Sequence, residues 1–506
     1  MGKRTSRLHP SDNVVVALAE MLPGVKVSEE GIRCRHPIPG GHKVAAAVIE
    51  KGEPIRKYGE IIGFASDRIE PGEHVHTHNV VMTDFRRHVP PDDRPLGVPS
   101  VSPETQETFN GIVRADGRVA TRNYVGVLST VNCSASVARQ IADPFRAGRL
   151  KDFPNVDGVV ALCHGGGCTT AEGGEGLAYL QRTVAGYARH PNFAGLLIIG
   201  LGCESNNIDS LLSNTGLETS PLLQVMSIQE VGGTSESVRQ GRAHIREMLE
   251  TADRVIRRPV PVGDLIVGLE CGGSDAYSGF TANPALGYAM DHLVRHGGTA
   301  VLSETPEIYG AEHLLAQRST SSEVKERFLA LFPWWEDYAA RNDATLDNNP
   351  SPGNKAGGLT TILEKSLGAV AKCGSTNLMA VYRYAEPIRT RGLVFMDTPG
   401  YDPASVTGMV AGGANMVCFT TGRGSVFGCK PVPVIKLASN TPLYRRMGDD
   451  MDLDCGTLIE GETTLEELGE QIFRLILETA SGRKTKSETH GIGDDEFVPW
   501  HIGAVL

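Results

Sequence analysis

From Phe109 onward, short apolar runs recur between stretches of helical pattern. They are NYVGVLSTVN (123–132), VDGVVALCH (156–164), FAGLLIIGLGC (193–203), GDLIVGLEC (263–271), GLVFMDTPG (392–400) and NMVCFTTG (415–422), each bounded by turn residues. Strand-length apolar runs alternating with helices predict largely parallel sheets joined by crossover helices. One helix is expected over 284–296, with Asn283 as its cap, Pro284 in its first turn and Gly297 beyond its end. Another is expected over 464–481, opened by a Thr463/Glu466 capping box, with Leu465, Leu468, Ile472, Leu475 and Ile476 as its apolar face.

The first 85 residues read differently. KVAAAVIEKGEPIRKYGEIIGFASDRIEPGEHVHTHNVVM breaks short apolar runs with Gly and Pro turns, which predicts a small β-rich domain over 1–85. Residues 86–108 are Pro-rich, polar and without period, as a linker would be. The remainder divides into a first α/β domain over 109–260 and a second, C-terminal one over 261–506. The closing EFVPWHIGAVL is apolar enough to dock on the fold or to form an interface.

The whole chain has 506 residues, 40% of them hydrophobic and 22% charged, as in globular enzymes. Its formal charge of −11, without a Lys/Arg block, argues against nucleic acid as a partner. No apolar run approaches the roughly 20 residues of a membrane span. The basic start, MGKRTSRLHPSDNVV, has no apolar stretch after it to make a signal peptide. The expected location is therefore the cytoplasm, with the ten cysteines reduced. There is no CxxC, so neither a zinc ribbon nor a thioredoxin motif is supported.

Four apolar runs end in cysteine followed by small or polar residues: Cys133, Cys163 with His164 and Cys168, Cys203 with Glu204, and Cys271 with Asp275. Ligands of open parallel sheets bind beyond the carboxyl ends of the strands, so such exits could share a pocket. Any one of these cysteines alone is better explained by packing, and Cys163 is assigned to packing. In the small domain, HVHTHN carries His74, His76 and His78, and His42 and Lys43 lie nearby in sequence in GGHKV. Histidines two apart on a strand share a face and could ligate a divalent metal, or could simply face water. CFTTGRGSVFG offers Thr420, Thr421 and Arg423 to an anion, but its glycines fit neither a dinucleotide fingerprint nor a P-loop. DNNPSPGNKAGG (347–358) is either a plain loop or a substrate-side loop presenting Asn354 and Lys355.

Taken together, GHKVA, KYGEIIG, HVHTHNV, FNGIVRADGRVATRNYVGVLSTVNCSAS, CHGGGC, GLGCESN, ECGGSDAYSGFTANPALG, NPSPGNKAGGLTTILEKSLGAVAK and FTTGRGS resemble the altronate/galactarate dehydratase family, in its order and over almost the whole chain. Cys373 and Cys429 depart from the family pattern. The resemblance implies an N-terminal SAF-type domain, a two-part catalytic region, iron(II) or manganese(II), and dehydration of a sugar acid to a 2-keto-3-deoxy acid. It also brings in a related group, split into two subunits, that eliminates sulfite from sulfolactate. The roles expected on that basis are as follows. His42, Lys57, Tyr58 and His164 move protons. Metal ligands come from among His76, His78, Cys133, Cys168, Cys203, Glu204 and Cys271. Substrate oxygens are held by Ser274, Asp275, Ser278, Thr281, Asn354, Lys355, Thr420, Thr421 and Arg423. The small-molecule partner is a sugar acid, and a homo-oligomer, first of all a dimer, is expected. The competing readings are a sulfolactate-type sulfo-lyase, an iron–sulfur hydro-lyase using three of Cys133, Cys168, Cys203 and Cys271, and a sugar-acid binding protein without turnover.

Overall fold

A computed structural model describes residues 4–27, 30–83, 106–146 and 150–503. The small domain is β-rich. Strands β1 (Thr5–Ser6), β2 (Val14–Ala17), β3 (Lys43–Ala45), β4 (Pro54–Lys57), β5 (Glu60–Ala65), β6 (His74–Val75) and β7 (Val80–Val81) form two antiparallel sheets, ordered β1-β2-β3-β6 and β4-β5-β7. Of the linker expected at 86–108, residues 86–105 lie outside the described residues. Thr108 already opens β8 (Thr108–Val113), which pairs with β9 (Val119–Ala120).

Next comes a four-stranded parallel sheet built from β10 (Tyr124–Ser129), β11 (Gly158–Leu162), β12 (Phe193–Gly200) and β13 (Leu223–Ser227), in the order β11-β10-β12-β13. β14 (Arg258–Pro261) returns to β8. The chain then makes a seven-stranded parallel sheet from β15 (Ile266–Cys271), β16 (Thr299–Leu302), β17 (Leu378–Tyr382), β18 (Gly392–Met396), β19 (Met416–Thr421), β20 (Val434–Ala438) and β21 (Leu453–Asp454). Its order is β17-β18-β16-β15-β19-β20-β21. Every residue of β10, β11, β16, β18, β19 and β20 is buried, which is why β10, β11, β18 and β19 read as apolar runs rather than alternating ones; β20 carries the buried Lys436 in its centre. All six predicted runs are strands, and the fold is α/β behind a small β-rich domain.

Two helix starts differ from expectation. The late helix spans Leu465–Ala480, and its capping box uses Thr464 and Glu467, one residue after the predicted pair. Two threonine–glutamate spacings of three overlap in GETTLEELG, and the box that fits is the one placing Leu468, Ile472 and Ile476 in the core. The earlier helix spans Ala282–Arg295, so Asn283 is inside it instead of capping it. Asn283 is buried and bridges elements: it accepts from Thr420 Oγ1 at 2.6 Å and donates to the Gly368 carbonyl at 2.9 Å. The C-terminal tail docks on its own chain, with Trp500 stacked on Trp335 at 5.3 Å and its N–H donated to Tyr384.

Buried polar groups lock the four-stranded sheet to the seven-stranded one. Arg122, 1% exposed at its side chain, grips Glu488 through two bonds of 2.5 and 2.8 Å and donates to the carbonyls of Thr479 and Arg483. His190 reaches the Ala414 carbonyl at 3.0 Å. Burial pushes both His190 and His164 down to about 4. Unfolded histidines titrate near 6.5, so between those values the unfolded chain binds more protons and stability rises with pH. The denaturation midpoint should therefore fall as pH is lowered from 6.5 to 4, and His190→Gln should flatten that slope; an unchanged slope refutes the assignment. Arg122→Ala, which strands a buried carboxylate, should cost about 3–5 kcal/mol in urea unfolding.

Candidate functional site

The small domain meets the large part along β3, β4 and the segment 354–368. The helix Ile362–Val370 is buried at all nine positions, yet it carries Glu364 and Lys365. Lys43 on β3 and Lys57 on β4 both reach Glu364, at 2.8 and 2.9 Å, with all three side chains at most 1% exposed. Thr360 donates to the same carboxylate through its N–H and hydroxyl, at 2.9 and 2.7 Å, and Lys43 also donates to the Gly358 carbonyl at 2.7 Å. Burial would raise Glu364, but the two ammonium groups outweigh it and hold it well below the carboxylate range. Burial pushes Lys43 down to about 8 against the pull of Glu364, while the same pull outweighs burial at Lys57 and raises it. Lys57 is thus a fixed cation in an ion pair and no free base.

Gly41, Gly357 and Gly358 make the close approach possible. A Cβ at Gly358 would lie 2.8 Å from the Gly41 carbonyl, and one at Gly357 would lie 3.0 Å from the Asp275 Cβ. Next to Gly41, His42 joins His74 and His76. One ring nitrogen from each lies within 4.8 Å of the others. His42 Nδ1 is 2.9 Å from His74 Nε2, and His76 Nδ1 is buried without a hydrogen-bond partner. Burial, with its neighbouring histidine and lysine charges, depresses His74 to about 3 and His76 to about 4, so the rings are neutral near pH 7. Three neutral imidazoles with an orphaned nitrogen fit a divalent transition metal. The trio is His42, His74 and His76; His78, expected as a ligand, is exposed beside His74, with ring centroids 5.4 Å apart. Register explains this, because β6 ends at Val75 and the chain turns before His78.

His42 Nε2 lies 3.3 Å from the Ala356 carbonyl. That carbonyl ends the short helix Pro352–Ala356, whose capping box is Ser351 and Asn354. Asn354 is spent on this cap and on the Ser274 carbonyl, whereas Lys355 is half-buried at the surface of the turn. Arg423, exposed, packs against the same turn, its Cδ 3.3 Å from the position a Cβ would take on Gly357.

These loops leave the sheet between β15 and β19, where the strand order reverses and open α/β sheets bind ligands. The loop after β15 is held by Asp275, which differs from its expected part in ligand binding. Its carboxylate accepts from the Ser278 N–H and hydroxyl, from Ser439 and from Asn440, at 2.8–3.0 Å. Three of these bonds go to Oδ1 and one to Oδ2, and they tie the loop after β15 to the loop after β20. Thr281 likewise is tied to the carbonyls of Tyr277 and Ser439, Thr420 to Asn283, and Thr421 to the Gly424 N–H. Ser274 and Ser278 line a narrow cavity with Tyr58, Cys271, Asn283 and Lys365. Burial pushes the Cys271 thiol up to about 12, and the thiol contacts Lys372 at 2.9 Å and Glu307 at 3.1 Å.

The cysteine exits do not share one pocket. Cys271 belongs to the seven-stranded sheet, while Cys133, Cys168 and Cys203 lie at the carboxyl edge of the four-stranded sheet, all exposed and free. Their loops are laced together: Ser205 N–H donates to the Cys168 carbonyl, Asn206 N–H to Gly167, and Asn132 N–H to Gly166. Glu204 accepts from Thr130 and Leu201 at one carboxylate oxygen and from Gly202 at the other, which fixes it in its turn. His164 is buried, with Nε2 at the Ser129 carbonyl and Nδ1 accepting from Gly166, so it braces its turn. A large cleft lies elsewhere, between the helix Glu175–Ala188 and residues 385–391, lined by Arg118, Arg182, Arg189, Arg389 and Arg391 and by none of the expected site residues.

Sequence reading passed over Glu364 and Lys365, and also Glu304, Glu307, Lys372 and Asp402. The available signal was charge inside apolar surroundings: LTTILEKSLGAVAK holds three charged residues in a stretch otherwise fit for a core.

Comparison with known proteins agrees with this architecture. Residues 3–83 match the altronate/galactarate dehydratase SAF domain, 111–253 the second domain of D-galactarate dehydratase/altronate hydrolase, and 262–505 the D-galactarate/altronate dehydratase C-terminal domain. Altronate dehydratase of Bacillus subtilis is 34% identical over 492 residues, covering 95% of this chain and 96% of the relative. Galactarate dehydratase (L-threo-forming) of Escherichia coli is 38% identical over 502 residues, covering 96% and 94%. The (2R)-sulfolactate sulfo-lyase subunit beta of Chromohalobacter salexigens is 34% identical over 396 residues, covering 77% and 96%. The chain belongs to the altronate/galactarate dehydratase family, and thereby to the hydro-lyases. Among the described residues, no helix is long and apolar enough to cross a membrane.

Glu364→Gln should leave two buried lysines facing one neutral amide. The expected loss is about 3–5 kcal/mol of stability in denaturant unfolding, with early proteolysis between the small domain and the rest. Unchanged unfolding would refute the pairing.

Proposed function

We propose that this protein is a metal-dependent dehydratase of an aldonic or aldaric acid such as altronate or galactarate. The carrying observation is the His42–His74–His76 trio set against the Lys355 turn, with Arg423 packed against Gly357 in the same turn. Iron(II) or manganese(II) held there would polarise the substrate's carboxylate and hydroxyl oxygens and lower the cost of the enolate charge. Lys355 and Arg423 hold the carboxylate, Arg423 with the fork geometry suited to it. The exposed imidazole of His78, beside His74, is the residue free to move a proton at this face. A base takes the proton from the carbon beside the carboxylate, the neighbouring hydroxyl leaves with a proton as water, and the enol tautomerises to the 2-keto-3-deoxy acid. Asp275 and its hydroxyl partners keep the loop after β15 in place beside the reacting groups.

The test is an anaerobic assay of chelator-treated protein with altronate, galactarate and sulfolactate, before and after adding iron(II) or manganese(II). Metal-restored 2-keto product from a sugar acid is expected; sulfite from sulfolactate alone would overturn the reading. His76→Ala should lower kcat at least about 100-fold, and Arg423→Ala should raise KM about tenfold with a smaller change in kcat.

The laced loops of Cys133, Cys168 and Cys203 favour a second reading, an iron–sulfur hydro-lyase using those three thiolates without Cys271. Brown protein with acid-labile sulfide, lost in Cys168→Ser, would support it. Colourless protein active with manganese(II) would exclude it.

A further inference from the structure

The amino ends of the two parallel sheets open onto the cleft between the helix Glu175–Ala188 and residues 385–391. Ile266 begins β15, Thr299 begins β16, Asn415 precedes β19 and Pro191 just precedes β12, and all four line it. The Asp275 loop and the cysteine exits lie at the opposite, carboxyl ends, so this cleft is a separate place. Its volume is about 1180 Å³. Pockets that enclose a drug-sized ligand run to about 300–1,000 Å³, so the cleft has room for something larger than a sugar acid.

The charges that line it do not balance. Five arginines face two carboxylates, Asp116 and Asp264. Arg118 donates to Asp116 at 2.8 Å, and Arg391 lies 3.8 Å from Asp264. The other three have no acidic partner among the described residues. Arg182 Nη1 donates to the Tyr384 carbonyl at 2.8 Å, with its guanidinium 5.5 Å from the centre of the Tyr179 ring. Arg189 Nη2 donates to the Thr215 carbonyl at 2.5 Å. The Arg389 guanidinium is exposed and makes no hydrogen bond or ion pair among the described residues. Three unopposed cations therefore share one cleft in a chain whose formal charge is −11. An anion placed between them removes their repulsion. The donors for it are spare, because a guanidinium carries five N–H groups in a fork that matches phosphate, and Arg182 and Arg189 each spend one. Leu177, Ala185, Ile266 and Ile388 add apolar surface to the same lining.

We propose that this cleft binds a nucleoside diphosphate, with its phosphates on Arg182, Arg189 and Arg389 and its base and ribose on the apolar lining. The inner phosphate carries one negative charge and the terminal one about 1.5 to 2, which matches the three unopposed arginines. Inorganic phosphate would leave the apolar surface bare, and an uncharged nucleoside would leave the arginines unmet. Arg182 and Arg189 belong to the four-stranded part and Arg389 to the seven-stranded part, so the bound molecule would clamp one to the other. The site does not depend on the reading given under Proposed function.

The test is isothermal titration calorimetry of the full-length protein with ADP, pyrophosphate and adenosine, on wild type and on Arg189→Ala with Arg389→Ala. Both side chains are exposed, so the variant keeps the fold. One ADP per chain is expected, with pyrophosphate and adenosine each at least about tenfold weaker, and ADP weakened by at least about tenfold in the double variant. Raised salt should weaken ADP on the wild type. ADP should also raise the unfolding midpoint of the wild type more than that of the variant at the same concentration. Absence of ADP binding overturns the site, as does ADP binding that the double variant leaves unchanged. Pyrophosphate bound as tightly as ADP overturns the nucleoside part and leaves a bare anion site. A wild-type dimer that blocks ADP and dissociates in the double variant overturns it in favour of a contact between copies of the chain. These readouts are of binding alone, so failure of the dehydration assay would leave their outcome untouched.

Discussion

The rest of the site depends on one buried carboxylate shared by two lysines. Glu364 lies in a helix with no exposed residue, and Lys43 and Lys57 enter it from two different sheets of the small domain. Such a cluster is not an efficient source of stability, since desolvating three charges consumes most of the attraction. Its strength lies in what it forbids. With two cations and one anion buried, any misdocking of the small domain leaves charge unmatched in a dry interface. The neighbours in sequence inherit that precision. His42 precedes Lys43 and Tyr58 follows Lys57, so fixing two ammonium groups also fixes one imidazole of the trio and one wall of the cavity.

The two parallel sheets divide the remaining work. At the reversal of the seven-stranded sheet, the hydroxyls of Ser278 and Ser439 are bonded to Asp275, whereas Arg423 and His78 are exposed and Lys355 is half-buried. At the reversal of the four-stranded sheet, the pattern is inverted: carboxylate and imidazole are used up in bracing the loops, and the thiols remain free. A side chain's availability, more than its identity, separates scaffold from site in both places.

Much of this was legible in the sequence. Strands buried on both faces are mostly apolar, and β10, β11, β18 and β19 were visible as such runs; β16, only four residues long, and β20, interrupted by Lys436, were passed over. The β-rich character of the first 85 residues followed from its turns. The start of the late helix was displaced by one residue because two threonine–glutamate spacings compete locally and only packing selects between them, and Asn283 was drawn into the earlier helix by its long-range bonds to Thr420 and Gly368. The cysteine exits were visible, but their partition between two sheets was not, because strand order is decided by contacts far apart in sequence. The same distance hid the partners of Asp275: Ser439 and Asn440 lie more than 160 residues onward. His74 stood in plain view in HVHTHN, but its pairing with His42 needed β3 and β6 to be neighbours.

The seam of glycines at 41, 357 and 358 carries a consequence for how such a sequence can drift. A Cβ at Gly358 would lie 2.8 Å from the Gly41 carbonyl, a backbone contact that repacking a side chain cannot relieve, and both Gly41 and Gly358 hold positive φ. Beneath it, a changed charge at 364 requires matching changes at 43 and 57 on separate strands. The interface is therefore expected to alter by concerted triplets over long evolutionary times or to stay as it is, while the loops bearing Lys355 and Arg423, free of that bond, are where new substrate preferences can arise one residue at a time.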